Sequence, residues 1–270
     1  VAYLSVLMGL KLEAYLIKQR SRLTADRARD VSSIGLGAML HDLGVLKLDD
    51  AVRERHEETG DEDDPDWQQH VQLGYEIVRG EIEPSAAVCV LHHHQTFDGQ
   101  GYPKRKTADG RMEPLAGEQI HIGPRIVAAA DAFDTLQHAE DPPRPTVSVL
   151  RELVEEPWTS RFDPEVLRAL LMVVPPYPPG TMLRLSDGQW AVAVDHAVEN
   201  PCRPLVRLIE GPDVAANSDA TEEDGDDEET LDLSERPDLE VVEAGGASVT
   251  GYNFEPPSFL AGAGQVVIGV

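Results

Sequence analysis

The chain has 270 residues, of which 41% are hydrophobic, so it is long enough for one large domain and a small one with a real core. Its formal net charge of −26 at pH 7 argues against a nucleic-acid binder that works through a basic surface, and we expect no DNA or RNA partner. The same field would repel an anionic substrate unless local cations, such as bound metal ions, offset it.

Two isolated cysteines, Cys89 and Cys202, do not make a disulfide framework, which favours a reducing compartment and a cytoplasmic protein. No apolar run in the sequence reaches the roughly 20 residues that a membrane span needs. The chain opens on Val1 in what reads as the middle of a helix. We therefore expect an N-terminal truncation.

Helical spacing of apolar residues predicts a series of helices in the first two thirds of the chain. These predicted helices span residues 1–19, 25–43, 67–78, 84–92, 123–136, 146–155 and 164–173. An acidic loop is expected at 59–66, with Asp66 as the N-cap of the next helix, and residues 46–58 fit no element clearly. A long glycine-rich loop is expected at 95–117, and loops of this length are usually functional or mobile.

The pattern changes at PPYPPG, residues 175–180, which reads as a linker or turn. Short β-like runs follow at 181–185, 190–194 and 205–209. SDG at 186–188 has hairpin-turn chemistry, and further strands are expected within 231–254 and 265–270. The acidic stretch at 218–230 lacks Lys and Arg and should be disordered. The predicted fold class is mainly α, a helical bundle followed by a small β module.

Residue types that bind divalent metals recur in three stretches: MLHDLG at 39–44, VLHHHQTFDGQGYP at 90–103 and RIVAAADAFD at 125–134. His41 and Asp42 alone would also fit a solvated helix end, and the run of three histidines a surface cluster. Consecutive helical side chains point about 100° apart, so at most two of the three histidines face one site. Asp131 lies in an apolar run, where a carboxylate needs a metal or a hydrogen-bond partner.

Taken in order, the motifs resemble the HD-GYP family of metal-dependent phosphodiesterases, a branch of the HD phosphohydrolase superfamily. LHDLG matches the HD signature, His70 with Gly74 matches H-x-x-x-G, and HHQTFDGQGYP matches HHExxDGxGYP. PRIVAAADAFD matches the last metal-ligand helix. The resemblance implies an HD-type helical bundle over residues 1–176. Residues 180–208 look like the small β extension of some HD-GYP proteins, within a β-rich module at 177–270 that contains the acidic loop.

The resemblance implies hydrolysis of cyclic di-GMP, or of a related cyclic dinucleotide, to a linear product by metal-activated water. It implies two divalent metal ions, expected to be Fe or Mn, and a set of ligands: His41, Asp42, His70, His93, His94 and Asp131. His41 and Asp42 are also the catalytic candidates, and His92 is the spare histidine. Substrate contacts are expected from Asp98, Gly101, Tyr102, Pro103 and Arg144. A signalling protein is a candidate partner for the GYP loop, and a homodimer is a further candidate.

The sequence departs from the family pattern at several positions. Val45 stands where the family usually has a lysine, and Gln95 replaces the acid that follows the paired histidines. The basic stretch after the last ligand is replaced by HAEDPPRP, in which Arg144 is the only Lys or Arg. The family's first-helix histidine, and a glutamate that some members use for a third metal, should fall upstream of Val1. Two alternatives therefore stay open: a degenerate relative that binds nucleotide or protein without turnover, and an HD phosphohydrolase for another phosphoester, against which the GYP motif argues.

Overall fold

The structure is a computed structural model, and it describes residues 1–196, 200–211 and 230–257. The chain separates into two compact units. The first comprises Val1–Asp134 and Pro157–Val173, and the second comprises Thr135–Glu156 and Val174–Val270. Residues 218–229 of the predicted acidic loop and the strand predicted at 265–270 lie outside the described residues. The domain boundary at residue 176 stays a prediction.

Helices account for most of the regular structure. In chain order they are α1 (Ala2–Lys11), α2 (Glu13–Gln19), α3 (Ala25–Ala28), α4 (Ser32–Leu40), α5 (Asp50–Thr59), α6 (Gln69–Val78), α7 (Pro84–His92), α8 (Ile122–Gln137), α9 (Thr146–Val154), α10 (Trp158–Arg161) and α11 (Pro164–Val173). Short 3₁₀ helices form at Leu43–Lys47, Gly117–Gln119 and Leu233–Glu235. The strands are β1 (Arg105–Lys106), β2 (Met112–Glu113), β3 (Met182–Leu185), β4 (Trp190–Asp195), β5 (Leu205–Ile209), β6 (Thr230–Asp232), β7 (Val241–Ala244) and β8 (Ala247–Ser248).

The first unit is a helical bundle. Helix α4 packs against α1 and α7, α6 packs against α7 and the first 3₁₀ helix, and α1 packs against α11. Apolar side chains from the helices of this unit are fully buried, among them Met8, Leu16, Ile34, Val90 and Ile126. Within the described part of the chain, no single helix is both long and apolar enough to cross a membrane. The sharply bent pair Ala25–Lys47 and Asp50–Thr59 passes that test by length and composition when joined.

Two helices predicted as single are each divided in the structure. The helix predicted at 1–19 breaks at Leu12, where ψ moves to 17°. The helix predicted at 25–43 breaks between α3 and α4, because the Asp30 carboxylate accepts hydrogen bonds from the backbone N–H and the hydroxyl of Ser32. Such a local bond competes with helix continuation. At its other end α4 stops at Leu40, so the dipeptide 41–42 follows the helix rather than forming its last turn.

The segment between the HD motif and α6 also differs from the prediction. Helix α5 occupies part of the region that the sequence left unassigned, and none of its residues is buried, so no apolar periodicity marks it. Helix α6 begins at Gln69 with Gln68 as its N-cap, so the prediction of Asp66 as the N-cap was wrong. The expected long loop at 95–117 carries the small β1–β2 hairpin.

The second unit contains α9 and a six-stranded antiparallel sheet of order β6-β5-β4-β3-β7-β8. Alternate residues of the central strands face one core, so Leu183 and Leu185 on β3 and Ala191 and Ala193 on β4 are buried beside Val147 of α9. The turn predicted at 186–188 joins β3 to β4. The predicted fold class, a helical bundle followed by a small β module, is confirmed.

Candidate metal centre

His41 and Asp42 lie where α4 gives way to the 3₁₀ helix Leu43–Lys47. Nδ1 of His41 lies 2.8 Å from the carbonyl oxygen of Ala38. A carbonyl only accepts, so Nδ1 is the donor of this bond. Nε2 of the same ring lies 3.1 Å from Oδ2 of Asp42 and 3.3 Å from Oδ1 of Asp131 on α8. Three elements therefore place an imidazole between two carboxylates.

A close approach of two backbones brings this dipeptide to α6. A Cβ on Gly44 would overlap the carbonyl oxygen of His70 and the backbone nitrogen of Gly74. Only glycine allows the 3₁₀ helix and α6 to pack at this distance. The glycine of LHDLG and the glycine of H-x-x-x-G thus act together, because they set how near His70 lies to Asp42.

His70 and His93 are buried, and both rings are fixed in the same way. Nδ1 of His70 lies 2.8 Å from the carbonyl oxygen of Trp67, and Nδ1 of His93 lies 2.9 Å from that of Val90. Each Nδ1 donates to a carbonyl three residues earlier, as in His41. The lone pair of each neutral ring is then left on Nε2. This is the support that metal-bound histidines usually receive from their protein.

These lone pairs converge on one point. Nε2 of His70 and Nε2 of His93 lie 3.4 Å apart, and Oδ1 of Asp42 lies 3.7 Å and 3.4 Å from them. Asp42, His70, His93 and His94 each offer a ligand atom, and these four atoms lie within 4.8 Å of one another. His41 and Asp131 complete the set on the Oδ2 side of Asp42.

The arrangement fits a divalent cation. Imidazole nitrogens that bear lone pairs repel at 3.4 Å, and a carboxylate beside them adds further acceptors without a proton to share. Nε2 of His41 is buried and lacks a hydrogen bond of acceptable geometry among the described residues, although two carboxylates are near. Mixed imidazole and carboxylate donors suit Mn, Fe, Zn or similar ions. A cation among these atoms would relieve the repulsion.

The pKa values of the cluster also indicate that positive charge is favoured beside its carboxylates. Burial alone would lower the pKa of His41, but the carboxylates of Asp131 and Asp42 outweigh it and raise the pKa to about 10. Burial would raise the pKa of Asp42, yet its contacts with His41 and His93 hold it well below the usual range. Burial lowers the pKa of His70 to about 4, and a proton on the neighbouring His93 would contribute to the same shift. His70 therefore remains a neutral ring at pH 7, suited to ligation.

His94 connects the centre to the GYP loop. The ring of Tyr102 stacks on the ring of His94, with centroids 4.6 Å apart and planes 16° apart. The Tyr102 hydroxyl donates to Oε2 of Glu62 over 2.9 Å, and the same oxygen lies 3.7 Å from Nδ1 of His94. The GYP loop thus borders the candidate metal site through its tyrosine.

Other residues of the loop hold its shape. Oδ1 of Asp98 accepts from the Thr96 hydroxyl at 2.5 Å and from the backbone N–H of Gln100 at 3.0 Å. Gly101 lies so close to His94 that a Cβ would overlap the His94 carbonyl oxygen. Both predicted residues, Asp98 and Gly101, therefore have structural contacts in the turn.

Gln95 holds the two ends of the loop together. Its Nε2 donates to the carbonyl oxygen of Pro103 at 2.5 Å, and its Oε1 accepts from the backbone N–H of Leu115 at 3.2 Å. The peptide bond between Tyr102 and Pro103 is cis. The amide at position 95 supplies one donor and one acceptor, and a carboxylate could not supply both.

His92 and Arg144 are not members of the four-residue ligand group. His92 is not in the four-residue ligand group, and burial followed by the charge of His93 lowers its pKa to about 4. Arg144 belongs to the second unit, where its guanidinium lies 2.7 Å from Glu152.

The sequence analysis did not predict Glu62 as a residue of the site. It lies in the run TGDEDDPD, where four other acidic residues hide any single functional carboxylate. Its position 32 residues before His94 matches no local spacing rule. A pairing of this kind becomes visible only when α5 and α6 bring the loop between them over the site.

Comparisons with known proteins agree with this geometry. The HD domain family is matched by residues 10–166, which is more than half of the chain. A cyclic di-GMP phosphodiesterase of Pseudomonas aeruginosa is 30% identical over 188 residues, 66% of this chain and 42% of that protein. The cyclic di-GMP phosphodiesterase response regulator RpfG of Xanthomonas campestris pv. campestris is 32% identical over 53% of this chain and 36% of its own length.

The name of a third relative gives a different substrate. The 3'3'-cGAMP-specific phosphodiesterase 2 of Vibrio cholerae is 31% identical over 49% of this chain and 24% of its own length. The chain thus spans less than half the length of these relatives. The region that matches the HD domain family, residues 10–166, contains the whole cluster and the GYP loop. The chain belongs to the HD domain family, in its HD-GYP branch.

Proposed function

We propose that this chain is a metal-dependent phosphodiesterase that hydrolyses cyclic di-GMP, or a related cyclic dinucleotide, to a linear product. One observation carries the proposal, the convergence of imidazole nitrogens and the Asp42 carboxylate within 4.8 Å. The substrate class is supported by the names of the relatives, which include enzymes for cyclic di-GMP and for 3'3'-cGAMP. Catalysis is proposed for residues 1–176.

The proposed cofactor is a pair of divalent ions, Fe or Mn. They would be held by His41, Asp42, His70, His93, His94 and Asp131. The Asp42 carboxylate supports a pair, since Oδ1 faces His70 and His93 while Oδ2 faces His41. When bound, such ions lower the pKa of water and offset charge on phosphoryl oxygens.

The chain's own residues would orient and enclose the reaction. Asp42 and His41 are the proposed catalytic residues, because they join the two halves of the ligand set. Carbonyl groups fix three of the rings before any substrate arrives, so little rearrangement is needed on binding. The proposed substrate contacts are Asp98, Gly101, Tyr102, Pro103 and Arg144. A signalling protein at the GYP loop and a homodimer remain proposals too.

A second candidate function is binding without turnover. It is favoured by Val45, an apolar side chain where a cation would meet phosphate, and by the net charge of −26 that opposes an anionic substrate. In that case the metal centre would hold nucleotide or stabilise the fold. The two candidates differ in whether product forms.

The test is a product assay on the full chain. The protein is incubated with Mn²⁺ or Fe²⁺ and either cyclic di-GMP or 3'3'-cGAMP, and products are separated by chromatography. We expect linear dinucleotide from the parent and from His92→Gln, and none above background from His70→Gln. His92 is the matched control, because it is a half-buried histidine outside the ligand group. Metal binding without product from either nucleotide would overturn the enzymatic proposal in favour of the binding one.

A further inference from the structure

The three histidines of the cluster and His41 are not supported alike. His41, His70 and His93 each donate from Nδ1 to a backbone carbonyl three residues earlier. Nδ1 of His94 faces a side chain instead, Oε2 of Glu62 at 3.7 Å. This distance is that of an ion pair and not of a hydrogen bond, and the nearby carboxylate favours the tautomer with its proton on Nδ1 and its lone pair on Nε2.

Glu62 is itself held on both of its oxygens. Oε2 accepts the hydrogen bond from the Tyr102 hydroxyl at 2.9 Å, and Oε1 lies 3.6 Å from Nε2 of His56 on α5. The His56 ring stacks flat on Trp67, with centroids 3.5 Å apart and planes 6° apart. Trp67 also supplies the carbonyl that fixes His70. Two series of contacts therefore connect the Glu62 carboxylate to the centre: one runs through Tyr102 to His94, and the other runs through His56 and Trp67 to His70.

The neighbours of Glu62 do not share these contacts. Asp61 accepts from the backbone N–H of Asp63 at 2.9 Å, which stabilises the loop itself, and the Asp63 side chain is exposed. Glu62 thus differs from Asp61 and Asp63 in its contacts, although all three carry the same charge.

We propose that Glu62 is a positioning residue of the metal centre, which orients His94 directly and through Tyr102. The inference rests on the proposed metal site and adds to it a carboxylate from the loop between α5 and α6. Outer carboxylates that orient metal-bound histidines typically change metal affinity by about 10–100-fold when removed. Glu62 supplies for His94 what main-chain carbonyls supply for the other rings.

The test measures Mn²⁺ affinity of the full chain by calorimetry, without substrate. We expect Glu62→Gln to weaken Mn²⁺ binding about 10-fold or more. Tyr102→Phe keeps the stacked ring and removes the hydroxyl that holds Glu62, so it should give a smaller loss. Asp63→Asn is the matched control, because it removes one negative charge from the adjacent position and should leave affinity within about twofold.

The outcomes separate this inference from the proposed function. Equal affinities for Glu62→Gln and Asp63→Asn, with both variants folded by circular dichroism, would overturn the role of Glu62, whatever the parent's activity. A loss confined to Glu62→Gln and Tyr102→Phe would support it even if the chain released no product from cyclic dinucleotides. Unfolding of Glu62→Gln in the metal-free protein would assign the residue a structural role and contradict the proposal.

Discussion

Two buried polar clusters of the first unit differ in how their groups match. In the first, the Arg125 guanidinium of α8 meets the Asp163 carboxylate at 2.5 Å, and both side chains are 2% exposed. Tyr15 donates to the same carboxylate at 2.9 Å, and Gln19 accepts from Nη2 of Arg125 at 2.6 Å. Burial and then Asp163 raise the pKa of Tyr15 to about 12, so its hydroxyl stays a donor. Nε of Arg125 has no hydrogen-bond partner among the described residues, but the other donors of this cluster meet acceptors, and the charges of Arg125 and Asp163 pair.

The metal centre has the opposite composition. Its atoms are nitrogens with lone pairs and carboxylate oxygens, so acceptors face acceptors at 3.4–3.7 Å. No described side chain of Lys or Arg pairs with Asp42 in the way that Arg125 pairs with Asp163. A fold would not keep such a group buried for stability alone, because unmatched polar groups are costly.

The comparison teaches how to distinguish a structural cluster from a functional one by the match of donors to acceptors, although Asp42 is about half exposed and Arg125 and Asp163 are buried. A cluster whose members satisfy each other stabilises the fold as it stands. In the metal centre a proton on Nε2 of His41 can meet the nearby carboxylates, but the Nε2 atoms of His70 and His93 face each other and the Asp42 carboxylate, and a cation would match these acceptors. The predictions below change one cluster while the other serves as the reference.

The largest expected effect is on the matched cluster. Asp163→Asn leaves the buried Arg125 charge without its counterion, and breaking a buried pair in this way costs about 3–5 kcal/mol of unfolding free energy. Urea unfolding of the metal-free chain measures it. Asp26→Asn, in the exposed Arg29–Asp26 pair at 2.6 Å, should leave the unfolding free energy close to that of the parent. Equal stability of the two variants would show that the Arg125 cluster does not hold the bundle.

A somewhat smaller effect is expected when the unmatched cluster receives its cation. A metal that binds the folded chain alone stabilises it by about 2.7 kcal/mol at 100 times its dissociation constant. We expect Mn²⁺ to raise the melting temperature of the parent and of Asp26→Asn, and EDTA to reverse the rise. In Asp42→Asn, which removes the central carboxylate, Mn²⁺ should cause little or no shift. A full shift in Asp42→Asn would place the bound metal elsewhere.

The smallest effect concerns the amide beside the centre. Gln95→Glu restores the acid of the family signature but removes the donor to the Pro103 carbonyl oxygen, and the residue is only 2% exposed. Leaving a buried acceptor unpaired costs about 1–3 kcal/mol. Thermal unfolding should show this loss, whereas Gln100→Glu at an exposed position of the same loop should not. A gain in stability would mean that Gln95 does not join the loop ends.

Much of the fold and the proposed ligand set could be predicted from the sequence, because both depend on local patterns. Helix α7 begins and ends at the predicted residues, since Pro84 opens it and an apolar face runs to His92. The resemblance to the HD-GYP motifs also implied one set of ligands, and the structure brings these residues together: His41, Asp42, His70, His93, His94 and Asp131. Their role as ligands stays a prediction.

What the sequence could not predict depends on long-range contacts or on weak patterns. Helix α5 has no buried residue, so hydrophobic periodicity could not reveal it. Glu62 lies 3.7 Å from Nδ1 of His94 although 32 positions separate the two residues, and its neighbours in the chain carry the same charge. Gln95 joins the ends of the loop through hydrogen bonds with Pro103 and Leu115. These partners come close to Gln95 only in the folded chain, so the sequence could not reveal this role.

The central claim is that the converging acceptors exist to hold a divalent cation. Calorimetric titration of the full metal-free chain with Mn²⁺, compared among the parent, His93→Gln and the adjacent His92→Gln, tests it most directly. We predict saturable binding by the parent and by His92→Gln, and a loss of more than about 100-fold in His93→Gln, beyond the usual effect of a supporting residue. Equal affinities for all three proteins, or no binding by the parent, would contradict the claim.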